Sequence, residues 1–415
     1  MKKPIYLKQY NLILIRYNEI WLKSQKVKIR MLRILMNNIK NMLKCEGISY
    51  HKYQLSKDSA RIFFFFKNEA IFNAIEVLKN AFGIHSLSPT LRTSSKLENI
   101  TKKTIDVCEE VLKKGDTFAL RVKRSGKHEF SSQDVAVKVG KAILDNFSNL
   151  NLKVNLSNPK KKIFIEVRDE FAYIFTQIIK SKWGGLPIET NKKVLIMDVG
   201  RINDIIAGFL IMRRGCEIYP ILFNLTENND VFEQRLSNWK EILQYTPNFK
   251  FMVRKINLVE IIENILRELS DGKYICAICR LIRFDIISKI FKTSNINGFD
   301  KIRAITDGVS LNNSTLCTDD IDLESLSLNF LCSEYPIFTS LIGSDLKKIQ
   351  YFQNNISKKL LKVDYCQFKP KNQEFNSQIL EKVYRSLKLE DIIKDSIESM
   401  EEYEIVRNET LQKET

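Results

Sequence analysis

At 415 residues the chain is too long for one ordinary core and long enough for two or three domains of typical size. A formal charge of +17 and a pI near 9.3 favour a polyanionic partner, with nucleic acid ahead of an anionic membrane. No apolar run reaches the length of a membrane span, the start Met1-Lys2-Lys3-Pro4 lacks the apolar stretch of a signal peptide, and eight cysteines in so large a chain do not read as a disulfide framework. These features exclude an integral or exported protein and predict a cytoplasmic one.

The first fifty residues carry eleven Lys and Arg, including Lys23, Lys26, Lys28, Arg30, Arg33, Lys40 and Lys44, against Glu19 and Glu46 alone, a local charge of +9. Within them, residues 10–17 read as a strand and Val27 to Leu43 as a helix with apolar residues at helical spacing. A strand near 60–66 and a helix from Ala70 to Phe82, closed by Gly83, complete a β-α-β-β-α unit over residues 1–80. Residues 81–182 predict a second basic α/β unit: a helix over 100–114, a strand from Thr117 to Lys123, a helix from Ser132 to Phe147 capped by Ser131 or Ser132, and short strands at 153–156 and 162–167. Trp183-Gly184-Gly185-Leu186-Pro187 is the clearest turn signal and the candidate hinge. Beyond it, Val194 to Met197 and Glu217 to Leu225 are continuous apolar strands around a helix from Ile205 to Met212, the pattern of a doubly wound parallel sheet over residues 183–400. Residues 401–415 read as a polar, frayed tail.

Arg121, Lys123, Arg124, Lys127 and His128 fall at a strand end and loop beside a capped helix. Such a loop can grip phosphates; a solvated basic turn would look the same. The stretch Val122 to Val135 resembles the signature of a THUMP domain, an RNA-binding module of tRNA-modifying enzymes. Glu19-Ile-Trp-Leu-Lys-Ser-Gln-Lys-Val-Lys-Ile-Arg30, continuing through Asn38-Ile-Lys40, resembles the ferredoxin-like domain that precedes THUMP in tRNA 4-thiouridine synthetases. Gly184-Gly185-Leu186-Pro187 and Met212-Arg-Arg-Gly-Cys-Glu217 match the same family in order and spacing. The resemblance implies an α/β chain with ferredoxin-like and THUMP domains followed by a PP-loop domain of the adenine nucleotide alpha hydrolase type. It implies tRNA held through Lys23, Lys26, Arg30, Arg121, Lys123, Arg124, Lys127 and His128, ATP and Mg²⁺ as cofactors, and a cysteine desulfurase as persulfide donor; it also allows a homodimer.

The family's nucleotide loop is a Ser-Gly-Gly-x-Asp-Ser turn between a strand and a helix, whose glycines, hydroxyls and helix N-terminus meet phosphates. Aligned without gaps, it falls on Val199-Gly200-Arg201-Ile202-Asn203-Asp204, where only Gly200 matches. Val199 removes a hydroxyl, Arg201 fills the space of a glycine, Asn203 lacks the carboxylate, and Asp204 sets negative charge where phosphate would sit. A second family element survives in part as Gly308, Ser310 and Leu311 within Thr306 to Asn313, and the family's Arg-Pro is replaced by Thr339-Ser340 before Leu341-Ile342-Gly343.

Cys366 occupies the position of the family's catalytic cysteine, which implies sulfur transfer through a reactive thiolate. Cys276 and Cys279, three apart near a helix start, can share a metal or cycle as a disulfide. In one branch of the family such a pair joins a later cysteine, here Cys366, around an iron–sulfur cluster. The sequence ends before the rhodanese domain of the long bacterial members, which argues against a thiazole-synthesis role. Cys45, Cys108, Cys216, Cys317 and Cys332 read as structural. Three functions remain open: an ATP-dependent tRNA uridine sulfurtransferase, a tRNA-binding protein with a silent third domain, and a cluster protein.

Overall fold

The computed structural model describes residues 7–269, 272–292, 299, 301–310, 327, 333–370, 376–407 and 412–413. Cys317, Cys332 and the 311–313 part of the second nucleotide element lie outside them. The chain divides into two compact units, residues 1–186 and 187–415. Among the described residues no helix is long and apolar enough to cross a membrane.

The first unit runs β1 (Leu12–Arg16), α1 (Gln25–Cys45), β2 (Lys52–Leu55), β3 (Ile62–Phe65), α2 (Ala70–Leu78), β4 (Ser86–Ser94), α3 (Leu97–Val111), β5 (Thr117–Ser125), α4 (Ser132–Asn146), β6 (Lys153–Val154), β7 (Lys161–Arg168), β8 (Phe171–Phe175) and β9 (Ile179–Lys180). Helix α1 forms because Met31, Leu32, Leu35, Ile39, Met42 and Leu43 recur at helical spacing and are all buried, Lys28 being the one cation buried with them, and its other cations are left to the more exposed faces. Helix α4 starts at Ser131, whose hydroxyl accepts from the Asp134 amide while the Asp134 carboxylate accepts from the Ser131 amide, a reciprocal cap worth about 1 kcal/mol.

The strands form one sheet in the order β2-β3-β1-β4-β8-β7-β5-β6, with β9 on β4. The expected division after residue 80 does not interrupt it. Strand β4 pairs with β1 from Ser86 to Thr90 and with β8 from Leu91 to Ser94, so both halves share one strand. Ile13 and Ile15 face the core beneath the helices, whereas Leu12, Leu14, Phe63, Phe65, Tyr173 and Phe175 are buried together on the other face. The Phe63 and Tyr173 rings stack 4.3 Å apart, although β1 and β4 separate their strands, about 14 Å on a flat sheet. The sheet therefore curls at β4 and its two halves close on each other.

The second unit runs β10 (Glu189–Asp198), α5 (Ile202–Arg213), β11 (Cys216–Asn224), α6 (Asn229–Lys240), β12 (Lys250–Asn257), α7 (Val259–Glu268), α8 (Ile275–Lys292), β13 (Ile302–Thr306), β14 (Ile337–Phe338), α9 (Leu346–Ile356), α10 (Ser377–Ser386), α11 (Glu390–Glu398), β15 (Glu401–Val406) and β16 (Gln412–Lys413). Its sheet is ordered β14-β13-β10-β11-β12-β15-β16, parallel from β14 to β12. Leu195, Met197, Ile221 and Phe223 pack with residues of α7, α8, α10 and α11 on one face. Ile196 meets Gly208 of α5 on the other, where a Cβ would lie 3.5 Å from its side chain. The sheet is thus covered on both faces. Its order reverses between β10 and β13, and the carboxyl ends of strands at such a reversal form the crevice where open α/β sheets bind ligands.

The expected frayed tail is corrected over Glu401–Val406. This segment is strand β15, antiparallel to β12, with Ile405 and Val406 buried. Its glutamates suggested a solvated end because their partners are remote in sequence: Lys250, Arg254 and Lys255 of β12 pair with Glu404, Glu402 and Glu401.

Candidate functional site

The turn from β10 to α5 and the turn after β13 meet at the reversal point, and they bring Val199, Gly200, Arg201, Asn203, Asp204, Gly308 and Ser310 together. The Asp204 carboxylate organises them. Its Oδ2 accepts from the Val199 amide at 3.1 Å and the Arg201 amide at 3.3 Å, and its Oδ1 accepts from the Gly308 amide at 2.8 Å. Arg201 Nη2 donates to Oδ1 at 2.9 Å, and both side chains are almost fully buried. Asn203 Nδ2 donates to the Gly308 carbonyl at 3.2 Å and reaches Ser310 Oγ at 3.4 Å. The amides that a phosphate would use are therefore held by a carboxylate of the chain itself, at the electropositive end of α5 where negative charge is favoured.

The two glycines serve contacts inside the protein. Gly200 has φ +104°, and a Cβ there would lie 2.4 Å from Tyr365 Cβ, so its open space admits Tyr365. A Cβ on Gly308 would lie 2.5 Å from the Asp204 amide nitrogen and from Asp204 Oδ1; only glycine lets this turn close on α5. Val199 is fully buried in the apolar core.

Two more buried ion pairs flank the turn. Asp198 accepts from Arg235 Nη2 at 3.2 Å and from Trp239 Nε1 at 2.6 Å. Burial pushes its carboxyl above the ordinary range, and the Arg235 charge opposes that while Asp204 adds to it. Arg280 Nη2 meets Asp307 Oδ2 at 2.7 Å with both side chains fully buried. Burial would raise the Asp307 carboxyl, but Arg280 and then Arg201 outweigh it and hold it low. Arg283 is buried beside them on α8, with its Nη1 lacking a hydrogen-bond partner among the described residues. The crevice thus neutralises three aspartates with three arginines of its own and keeps one further guanidinium. As it stands, its amide cradle does not fit a nucleotide phosphate until Asp204 leaves.

Cys366 is half-buried and bridges Leu225 just beyond the carboxyl end of β11; the Gln367 amide donates to the Leu225 carbonyl at 3.1 Å. Because Tyr365 packs on Gly200, the cysteine segment and the altered loop are mechanically linked. Cys276 and Cys279 lie in the first turn of α8, buried in the apolar core. Among the described residues no group of three His, Cys, Asp or Glu side chains is disposed to hold a metal ion. The cysteines of the expected ligand set belong to one packed region of the second unit, Cys276 and Cys279 buried within it and Cys366 partly buried against it. Cys108 is buried, which pushes its thiol up to about 12, and burial also raises Cys216.

In the first unit Lys23, Lys26 and Arg30 are exposed at the start of α1, and Lys123, Arg124 and Lys127 are exposed at the end of β5. Arg121 donates to the Leu156 carbonyl, Arg124 to the Gly126 carbonyl at 3.0 Å, and His128 Nε2 lies 3.1 Å from the Ser125 carbonyl. These contacts pin the loop and turn the lysines outward. The closed halves of the curled sheet are locked by Glu166, which meets Arg16 at 3.3 Å, Arg61 at 3.1 Å and Arg168 at 3.2 Å. Arg168 continues to Asp58 at 2.6 Å.

Three family models match the chain in order: the ThiI ferredoxin-like domain at residues 12–88, the THUMP domain at 94–177, and the thiamine biosynthesis protein ThiI at 189–389. A probable tRNA sulfurtransferase of Thermococcus kodakarensis is 30% identical over 348 residues, 82% of this chain and 86% of the relative. The chain belongs to the tRNA sulfurtransferase family. A second relative of that name, from Methanobrevibacter smithii, is 28% identical over 94% of this chain and its own full length. Among solved structures, a 4-thiouridine synthetase–RNA complex with bound ATP superposes with a TM-score of 0.77 at 22% identity, covering 95% of this chain and all of that one. A Pyrococcus horikoshii protein superposes with a TM-score of 0.63 at 24% identity over 83% of this chain and 99% of that one. Both likenesses bear on the fold.

Within this sulfurtransferase fold, sequence reasoning missed Asp198, Arg235, Trp239, Arg280, Asp307 and Glu166. The one available signal was Arg280 and Arg283 inside an otherwise apolar run, Ile275 to Phe284, where a buried guanidinium demands a partner.

Proposed function

We propose that this chain is a tRNA-binding member of the sulfurtransferase family that replaces a uridine oxygen with sulfur to give 4-thiouridine. The observation that carries this reading is the family's three-domain order over most of the chain, with Cys366 at the sheet's carboxyl end on a segment that packs against the nucleotide turn. In this reading the first unit holds tRNA through its exposed cations, and Cys366 passes on sulfur that a cysteine desulfurase supplies as a persulfide, a second thiol cleaving the S–S bond reductively as the sulfur goes to the uridine. ATP with Mg²⁺ is the implied cofactor, and its chemistry would be to activate the uridine oxygen for displacement. The occupied amide cradle means that this chemistry requires Asp204 to be displaced.

That occupancy favours a second reading, in which the first unit binds tRNA and the second is a silent platform. One experiment separates them: the 4-thiouridine content of tRNA incubated with the protein, Mg-ATP, a cysteine desulfurase with free cysteine and a thiol reductant, beside Cys366→Ala. Product that vanishes in the variant supports the enzyme. Absence of product with tRNA binding intact supports the platform. A cluster reading would rest on Cys276, Cys279 and Cys366, and the iron content of anaerobically purified protein tests it.

A further inference from the structure

The start of α1 carries an apolar surface in the middle of the most cationic part of the chain. A 3₁₀ turn, Glu19–Leu22, leads into the helix, and on it Trp21 is 53% exposed and Leu22 81%. Ile29, in the second turn of α1, is 38% exposed. The other two tryptophans, Trp183 and Trp239, are buried, as an indole ordinarily is when packing alone decides its place. Close to Trp21 in the chain, Lys23, Lys26 and Arg30 are all exposed, with Glu19 the one acidic residue from Tyr17 to Cys45. Such charge disfavours an apolar protein partner and suits a phosphate backbone.

The ring is also held in place. The Lys28 ammonium sits 3.6 Å from its centroid, and Lys28 itself is only 6% exposed. A cation against one face fixes the indole plane and leaves a flat aromatic surface toward solvent. A nucleobase gains from stacking on a rigid aromatic whatever its identity, and neighbouring cations track the strand that carries it.

We propose that Trp21 is a stacking platform for an unpaired nucleobase of the bound RNA, with Lys28 as the residue that orients the ring and Lys23 and Lys26 as phosphate contacts beside it. The proposal rests on the tRNA-binding reading above and adds to it a base contact, where the exposed cations supply only phosphate contacts.

The test uses the full chain and an unmodified tRNA transcript. Trp21 supplies the solvent-facing part of the tryptophan emission, so binding should quench it. Trp21→Phe should abolish the quench while keeping affinity within about threefold, because a phenyl ring still stacks. Trp21→Leu should weaken binding about tenfold without changing the slope of log affinity against log salt, since no phosphate contact is lost. A blunt-ended RNA duplex, which offers no unpaired base, should bind without quenching. Unchanged affinity in Trp21→Leu, or no quench while tRNA binds, would overturn the stacking proposal and leave the tRNA reading intact. A quench of equal depth by the duplex would overturn the unpaired-base assignment. Failure of the transcript to bind at all would overturn both.

Discussion

The Asp204 carboxylate accepts a hydrogen bond from the Gly308 amide at 2.8 Å, across 104 residues of chain and between the two turns that flank the sheet's reversal point. Through this contact, with those to the Val199 and Arg201 amides, the side chain occupies the place of an anion. A phosphate placed at this turn would therefore have to compete with Asp204 for the same donors. The double variant Arg201→Gly, Asp204→Ser clears the cradle and returns a hydroxyl, and its affinity for Mg-ATP should exceed that of the unaltered chain by at least about tenfold. Isothermal titration calorimetry measures it; equal affinities would mean that the carboxylate does not guard the site.

Removing Asp204 alone has the opposite consequence for the fold. Asp204→Ala strands the buried Arg201 guanidinium and the three amides, so the second unit should lose about 3–5 kcal/mol. Urea unfolding followed by the fluorescence of buried Trp239 reports this unit, and an unshifted midpoint would contradict the buried pair.

Gly200 makes a third prediction through Tyr365. Any side chain at φ +104° is strained, and a Cβ would overlap Tyr365 Cβ. Gly200→Ala should cost at least about 1–3 kcal/mol and push the Tyr365–Cys366 segment outward. Alkylation of Cys366 by iodoacetamide, read by peptide mass, should accelerate in the variant; an unchanged rate would uncouple the turn from the cysteine.

Glu166 sets the acid sensitivity of the first unit. Burial alone would raise its carboxyl, but Arg61, Arg16 and Arg168 outweigh burial and hold it below the ordinary 4.5. For Asp58, burial also raises, and the Ser56 hydroxyl, the Ala60 amide and Arg168 together bring it down to about 2. A carboxyl whose folded value is depressed stabilises the fold above its unfolded value, and that contribution is lost as pH falls through the folded one. Stability of this unit should therefore decline as pH drops from about 4.5 toward 2. Glu166→Gln should be markedly less stable than the unaltered chain at pH 7, with the gap narrowing over that window. Thermal unfolding at stepped pH checks this, and a gap independent of pH would rule out the charge cluster as the cause.

The exposed lysines should act as phosphate contacts. Lys123→Ala with Lys127→Ala should weaken tRNA binding at low salt and lower the slope of log affinity against log salt by about 1.5 to 2, one increment per lost contact. Filter binding across a salt series measures both, and an unchanged slope would remove this loop from the interface.

Apolar spacing in the sequence already determined α1, β3, α3, α4, β10, α5 and β11, because burial of one face is a local, periodic demand that neighbouring residues record. The loss of the nucleotide signature at Val199 to Asp204 was also legible, since glycine and hydroxyl have fixed uses in such a turn. Tertiary structure alone decided what replaced the ligand. Nothing near Asp204 in the chain reveals Gly308 as its partner, nor does the stretch around Glu166 reveal Arg16 and Arg61 from strands that only the curl at β4 brings near. The same holds for Glu401–Val406, whose polar pattern reads as a loose end until β12 offers it three cations. Periodicity is a property of neighbours, whereas charge pairing depends on strand order and curvature, and these arise only when the whole chain has folded.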